Sequence, residues 1–314
     1  MLALCGILLG TTPAAAQQRF VLVVAGASGG DEYAVQYGDW TDAFVRTLTG
    51  TLALEPAQVT VLTDTRTAAS ASTAANVRKA VDGIRQRMKS PDLLFVLLIG
   101  HGTFDGVDAK FNLVGPDLES SEWATLLDPL PGRVVIVNTT AGSFPFIERL
   151  SGPRRIVITA TDSMAQRFDT AFAEYFIRAF DDESGDLDRN GRTSMWEAFA
   201  SASAGVRRHY QQRGQLATER SLLDDNGDGV GSSASEQGED GALAGRTYLQ
   251  EAPPGAQPTD DALLKLLQRK ALLEAELEEL KIRRKFLPAE EYAKEFERII
   301  TEYARVSSEI RRRT

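Results

Sequence analysis

Asp92-Leu-Leu-Phe-Val-Leu-Leu-Ile-Gly-His-Gly102 decides how this chain of 314 residues is read. Leu93 to Ile99 is an unbroken apolar run, with Pro91-Asp92 before it and Gly100-His101-Gly102 after it. A short continuous apolar run with such boundaries describes a strand covered on both faces, as in a parallel sheet. The glycines let the backbone turn sharply where the strand ends. Open α/β sheets build their sites at the carboxyl ends of strands. One of the two histidines in the sequence therefore falls at a candidate functional edge.

Comparable runs lie on either side. Phe20-Val-Leu-Val-Val-Ala25, Val59-Thr-Val-Leu62, Arg133-Val-Val-Ile-Val137 and Arg155-Ile-Val-Ile-Thr159 read as further strands. Between them, Trp40, Phe44, Val45 and Leu48 recur at helical spacing, as do Ala75, Val77, Ala80, Val81, Ile84 and Met88 behind a Ser72 or Thr73 cap. A helix is expected over 168–180 and a hairpin near 111–114. Strands alternating with helices predict an α/β fold with a mostly parallel sheet flanked by helices. Right-handed crossovers then bring His101 and the segment Asn138-Thr-Thr-Ala-Gly-Ser143 to the same edge.

The formal charge of −9 argues against a nucleic-acid partner, whose domains carry a basic surface. Residues 1–16 are apolar, uncharged and end in small residues, matching a secretory signal peptide and predicting a secreted or periplasmic protein. The run is too short to span a membrane. Cys5, the single cysteine, lies within this leader. The mature chain is thus expected to have neither a disulfide nor a thiol nucleophile.

Residues 186–197 carry the most specific motif. Asp186, Asp188 and Asn190 stand at positions 1, 3 and 5 of an EF-hand calcium loop, with Gly191 at 6, Arg192 at 7, Ser194 at 9 and Glu197 at 12. Glycine permits the tight turn, Arg192 offers its carbonyl, and the final glutamate can chelate with both oxygens. Thr193 stands where an aliphatic residue usually packs. Residues 224–235 begin a second such loop with Asp224, Asn226 and Asp228, but Ser235 replaces the closing acid. That loop is read equally as a weak calcium turn or an Asx-rich loop.

Residues 18–230 are expected to form the α/β domain, 231–260 a Gly-, Ser- and Pro-rich linker, and 261–314 a helical hairpin. Leucines at 263, 266, 273, 277 and 280 mark the first arm. Tyr292, Phe296, Ile299, Tyr303, Val306 and Ile310 alternate at steps of four and three along the second. Pro288 suits its first turn. The arms are short, so the hairpin is expected to pack on a protein partner or on the body.

The sequence resembles the caspase/legumain-like cysteine peptidases over about 20–180. Val24-Ala25-Gly26-Ala27-Ser28-Gly29 with Tyr33 is similar to the Ala-Gly-Ser-Asn-Gly strand end and following tyrosine of legumains. The family's catalytic histidine sits in a Gly-His-Gly-type motif after an apolar strand, as His101 does. Its cysteine ends the next sheet strand within Glu-Ala-Cys-Glu-Ser-Gly. Laying Val137-Asn138-Thr139-Thr140 against that pattern places Thr140 at the cysteine and Asn138 at the acid. The arginine of the family's specificity pocket corresponds to Ala34, so Asn-specific cleavage is not expected. A threonine hydroxyl is a far weaker nucleophile than a thiolate. The resemblance thus implies a catalytically silent, calcium-stabilised binding module, taking a protein or peptide in the sheet-edge cleft and through the hairpin. Two readings compete with it. One is a hydrolase in which His101 activates Thr140, Thr139 or Ser143. The other places the nucleophile at Ser28, because Gly26-Ala-Ser28-Gly-Gly30 fits the Gly-x-Ser-x-Gly pattern, with His101 or His209 as base.

Overall fold

A computed structural model describes residues 17–64, 67–166, 169–236, 238–253 and 260–314; the expected leader, 1–16, lies outside them. Strand β1 (Arg19–Ala25) leads to helix α1 (Asp31–Thr49), then β2 (Val59–Leu62) and α2 (Ala74–Arg85). The deciding stretch forms β3 (Leu93–Ile99), buried at every position. A small antiparallel sheet follows from β4 (Gly102–Phe104), β5 (Ala109–Phe111) and β6 (Leu118–Glu119), with α3 (Ser120–Leu127) behind it. Then come β7 (Arg133–Asn138), α4 (Phe146–Leu150), β8 (Arg155–Thr159), α5 (Phe172–Arg178), α6 (Met195–Gln212) and β9 (Leu222–Asp224). Two long helices, α7 (Asp261–Arg283) and α8 (Ala289–Arg313), complete the described chain.

The main sheet runs β2-β1-β3-β7-β8-β9, parallel except for β9. Because side chains alternate across a strand, β3 supplies two cores at once. Leu93, Phe95, Leu97 and Ile99 join α1, α5 and α6 on one face. Leu94, Val96 and Leu98 join α2, α3 and α4 on the other. The protein is therefore an α/β protein whose mostly parallel sheet is covered by helices on both faces. The Thr73 hydroxyl accepts from Asn76 N at 3.2 Å, capping α2 as its sequence position predicts.

Three features differ from the sequence expectation. Helix α5 starts at Phe172 instead of 168, because a distant carboxylate caps it there (below). Helix α3, carrying the fully buried Trp123, and the three-residue edge strand β9 were not anticipated. Both are too short for periodicity to register. Most of the expected linker is packed structure: Ala244 and Leu249 are buried, Leu223 bridges Ser232, and Ser194 bridges Tyr248. Residues 254–259 lie outside the described residues.

The hairpin docks on the body. Leu263, Leu264, Leu267 and Leu273 of α7 belong to the same core as Trp196 and Phe199 of α6. Leu264 sits against Gly245, where a Cβ would lie 2.8 Å from its Cδ1. Gln268 Nε2 donates to the Asp240 carbonyl at 2.9 Å. Across the pair, Arg269 grips Glu302 with two hydrogen bonds of 2.9 and 2.8 Å.

Gly26, just past β1, passes under the small sheet: a Cβ there would stand 2.2 Å from the Asn112 carbonyl oxygen. Backbone cannot yield as a flexible side chain can, so Gly26→Ala is expected to destabilise by about 2–3 kcal/mol through overpacking. Urea unfolding with an unchanged slope and a lower midpoint checks it; an unchanged midpoint contradicts the close approach.

Candidate functional site

His101 follows β3 at the carboxyl edge of the sheet, and β7, the neighbouring strand, delivers Asn138–Ser143 beside it. The imidazole is held from three sides. Its Nε2 lies 3.1 Å from the Ser28 carbonyl oxygen, which can only accept, so this nitrogen carries the proton. Tyr37 Oη reaches the ring at 3.2 and 3.4 Å, and Tyr33 stands edge-on to it with centroids 4.7 Å apart. Asp169 Oδ1 lies 3.8 Å from Nδ1. Burial raises the Tyr37 phenol's pKa, and the Asp169 carboxylate raises that of Tyr33, so both stay protonated donors at neutral pH.

Thr140 lies fully buried against the turn that carries the histidine: a Cβ added to Gly102 would stand 2.3 Å from its Oγ1. That hydroxyl has no hydrogen-bond partner among the described residues and no solvent exposure. Its backbone N–H donates to Asn138 Oδ1 at 3.0 Å. Thr139 Oγ1 donates to the Leu98 carbonyl at 2.7 Å. Ser143 Oγ meets Thr161 Oγ1 at 3.0 Å and accepts from the N–H groups of Ala160 and Thr161. Both of these hydroxyls are occupied in joining strand ends. Ser28 touches His101 through its carbonyl, while its N–H donates to Asp64 Oδ2 at 2.9 Å. His209 is remote, hydrogen-bonded to Tyr175 Oη at 3.3 Å on α6.

Two groups at this edge have no counterpart in the sequence reading. Asp169 reaches His101 from a loop, which no periodicity announces. Tyr37 stands one helical turn beyond Tyr33 on α1, so the same-face spacing of four was the available signal. A third, Glu219, acts from behind. Its buried carboxylate accepts from Ala171 N at 2.8 Å and Phe172 N at 2.7 Å, closing the start of α5. The preceding residue, Thr170, donates its hydroxyl to the Thr139 carbonyl. Glu219 thereby fixes the loop that presents Asp169.

The acidic loop forms a second site. Asp186, Asp188 and Glu197 offer carboxylate oxygens all within 4.8 Å of one another, the cluster of three such groups found among the described residues. Asp186 accepts from Asn190 N at 3.0 Å and Gly191 N at 2.7 Å, which closes the turn. Gly191 sits at φ +82°, where glycine carries no steric cost. Ser194 and Glu197 cap α6 reciprocally, at 3.2 Å for Glu197 N to Ser194 Oγ and 2.9 Å for Ser194 N to Glu197 Oε2. Asn190 Nδ2 donates to Asp188 Oδ2 at 3.0 Å, whereas the Arg192 side chain turns away over the Tyr248 ring at 4.0 Å. Burial first, then the Asp188 charge, pushes Glu197 up to about 7. Burial likewise raises Asp188 to about 6. A compact, desolvated set of oxygen ligands fits a hard cation, whose charge would offset both the burial and the mutual repulsion that raise these values.

In the second loop, Asp224 accepts from Gly227 N at 2.9 Å and Gly229 N at 2.8 Å, and Asn226 Nδ2 donates to Asp228 Oδ2 at 3.2 Å. Ser235 meets Ser233 at 3.3 Å and supplies no carboxylate. This arrangement is that of Asx turns.

The two sites lie at opposite edges of the sheet. Arg19, which begins β1, lines one groove with Asn190, Gly191 and Arg192, whereas His101 follows the far end of the parallel strand β3. Seven residues of strand separate the edges by roughly 20 Å.

No family model matches the chain, and no curated protein does. Among solved structures it is similar to a structural-genomics target protein from Geobacter sulfurreducens, at 13% identity over 66% of this chain and 92% of that one, with a TM-score of 0.41. No helix among the described residues is long and apolar enough to cross a membrane.

Thr140→Val replaces an unpartnered buried hydroxyl with a methyl of nearly the same shape. It is expected to be neutral or to stabilise by about 1 kcal/mol, read from the urea midpoint; a loss of about 2 kcal/mol or more (~30-fold or greater in the folding constant) would mean that the hydroxyl has a partner. Burial raises Glu219 to about 7, above its ordinary 4.5. Its contribution is fully present below about pH 4.5 and lost as pH rises through about 7, by up to about 3 kcal/mol. Glu219→Gln should flatten that part of the stability–pH curve between pH 5 and 7.5 (roughly the interval spanned by the two pKa values); parallel curves for both proteins would exclude it.

Proposed function

We propose that this chain is a catalytically silent relative of the caspase/legumain-like peptidases, serving as a secreted or periplasmic, calcium-stabilised binding or assembly module. Kinship is supported by the placement of the Gly-His-Gly step after a central buried strand, with position 140 brought to the same edge by the adjacent strand. One observation carries the silence. The hydroxyl at the position of the family's nucleophile is sealed in the core without solvent or a hydrogen-bond partner. A nucleophile must be within reach of both a base and the substrate. The proton on His101 Nε2 is committed to the Ser28 carbonyl, Tyr37 Oη lies against the same ring edge at 3.2 Å from Nε2 and 3.4 Å from Nδ1, and Asp169 faces Nδ1. These contacts make His101 a brace that ties β3 to the β1–α1 turn.

Calcium is the cation that the acidic loop suits. Asp186, Asp188, Asn190 and Glu197 would hold it with side-chain oxygens and Arg192 with its carbonyl, while Ser194 stands at the position commonly served through water. The donors are all oxygen, without the nitrogen or sulfur that zinc or copper favours. Its distance from His101 makes the ion's contribution structural: it neutralises buried carboxylates and fixes the entry to α6. For a protein partner, the hairpin keeps its leucine seam for its own body and leaves its tip open, with Phe286 81% and Ile282 58% exposed.

Calcium should raise the melting temperature over that in chelator, on the order of 5 °C when calcium exceeds its Kd about a hundredfold. Glu197→Gln should abolish the rise. Equal melting of the wild type in both conditions removes the calcium reading. Labelling of Ser28 or Thr140 by a fluorophosphonate probe, lost on His101→Ala, would replace the silent module with a hydrolase.

A further inference from the structure

The amino-terminal edge of the sheet holds positive charge that the described residues leave short of acceptors: Arg19 reaches only the Gln17 carbonyl, at 3.4 Å, and one exposed carboxylate. Arg19 begins β1 and is 9% exposed; Arg192 leaves the acidic loop and is 8% exposed. The Nε–H groups of both are buried without a hydrogen-bond partner. Arg192 stacks on the Tyr248 ring, and no carboxylate pairs with it among the described residues. Arg19 has one carboxylate, Glu251, at 3.3 Å, and that side chain is 80% exposed. Burial lowers the pKa of Arg19, Glu251 opposes the shift, and the charge of Arg192 adds to it. Two guanidinium groups so desolvated and so short of acceptors are a costly arrangement, since a buried charge needs a counter-charge.

Both arginines line a groove of about 400 Å³, within the size range of small-ligand sites. Leu52, Leu54 and Leu249 give it an apolar side, while Gln58 and Asn190 supply neutral polar groups. The groove thus combines two guanidinium groups with apolar side chains, in a protein of net charge −9. We propose that it binds a small organic acid, whose carboxylate sits between Arg19 and Arg192 and whose carbon skeleton rests on the leucines. A planar guanidinium fork matches the two in-plane oxygens of a carboxylate. Glu251 is the internal indication of this chemistry: a carboxylate already reaches Arg19 from solvent, and an incoming ligand would displace it.

The site goes beyond the proposed module function and does not depend on it. Arg192 serves the acidic loop through its main chain and the groove through its side chain, so the two can be separated. The measurement is calorimetric titration of the full chain with succinate and, separately, with inorganic phosphate. Succinate should bind the wild type; Arg192→Gln and Arg19→Gln should each weaken it about tenfold or more. Glu251→Gln, which removes the competing carboxylate, should tighten it a few-fold. Calcium affinity should be unchanged in Arg19→Gln and in Glu251→Gln, neither of which the acidic loop uses. Several results overturn the proposal: no succinate binding, affinity indifferent to the arginines, or phosphate binding tighter than succinate. Loss of calcium and succinate affinity together in Arg19→Gln does so too, because the side chain would then be a prop of the fold. If Arg19→Gln fails to fold, Arg192→Gln and Glu251→Gln decide the matter alone.

Discussion

Strand β3 is hydrogen-bonded along both edges and covered on both faces, and the rest of the architecture follows from that confinement. Every side chain from Leu93 to Ile99 must be apolar, since a polar group there would be desolvated without a partner. The chain can place chemistry only where it leaves the sheet, and Gly100, at φ +150°, is where it leaves. His101 is therefore positioned by exclusion: it is the first residue along this strand free to carry a ring nitrogen. The same confinement acts on β7, whose buried apolar run, Val134 to Val137, gives way to a polar residue at Asn138. Two neighbouring strands under one constraint bring their polar ends together without any direct attraction between them.

What that edge can do depends on how tightly it closes. Gly102 and Gly142 let the turn after β3 and the turn after β7 approach closely: a Cβ on Gly102 would collide with the Thr140 side chain, and one on Gly142 would press on the Gly102 backbone at 3.1 Å. The approach seals Thr140 and uses Thr139, Thr170, Ser143 and Thr161 as cross-links between strand ends. A hydroxyl needs an aligned base, and reactivity requires an open path to substrate; a cross-link needs the reverse. The edge is rich in hydroxyls, and their number reflects mechanical closure of the strand ends.

Long elements were legible and short or cooperative ones were not. The apolar runs of β1, β3, β7 and β8 and the leucine spacing of α7 carry their structure locally, because a buried strand or an amphipathic helix must repeat its pattern over many residues. The acidic loop was legible for another reason: its geometry is dictated by side-chain oxygens at fixed offsets within twelve positions. Glu219 was not, because its partners are the N–H groups of residues 171 and 172, and nothing near position 219 encodes them. The stretch 231–253 has the composition of a linker, yet it packs, since Ala244, Leu249 and the carboxylates of Asp225 and Asp240 bind it to β9 and α7. Small residues signal flexibility in isolation and close packing in contact, and sequence alone does not separate the two.

The same packed stretch determines how far a cation's influence can extend. Ser194 leaves the acidic loop bridged to Tyr248, and Met195 N donates to the Thr247 carbonyl at 2.9 Å. Thr247 Oγ1 in turn accepts from Arg133 at 2.9 Å, at the first residue of β7. On its other side the loop runs into α6, where Met195, Trp196 and Phe199 are buried in the main core. The loop cannot open by itself without breaking contacts to a central strand and to the main core. Binding energy delivered to Asp186, Asp188 and Glu197 is then shared with the whole domain, since the unfolding it opposes is global.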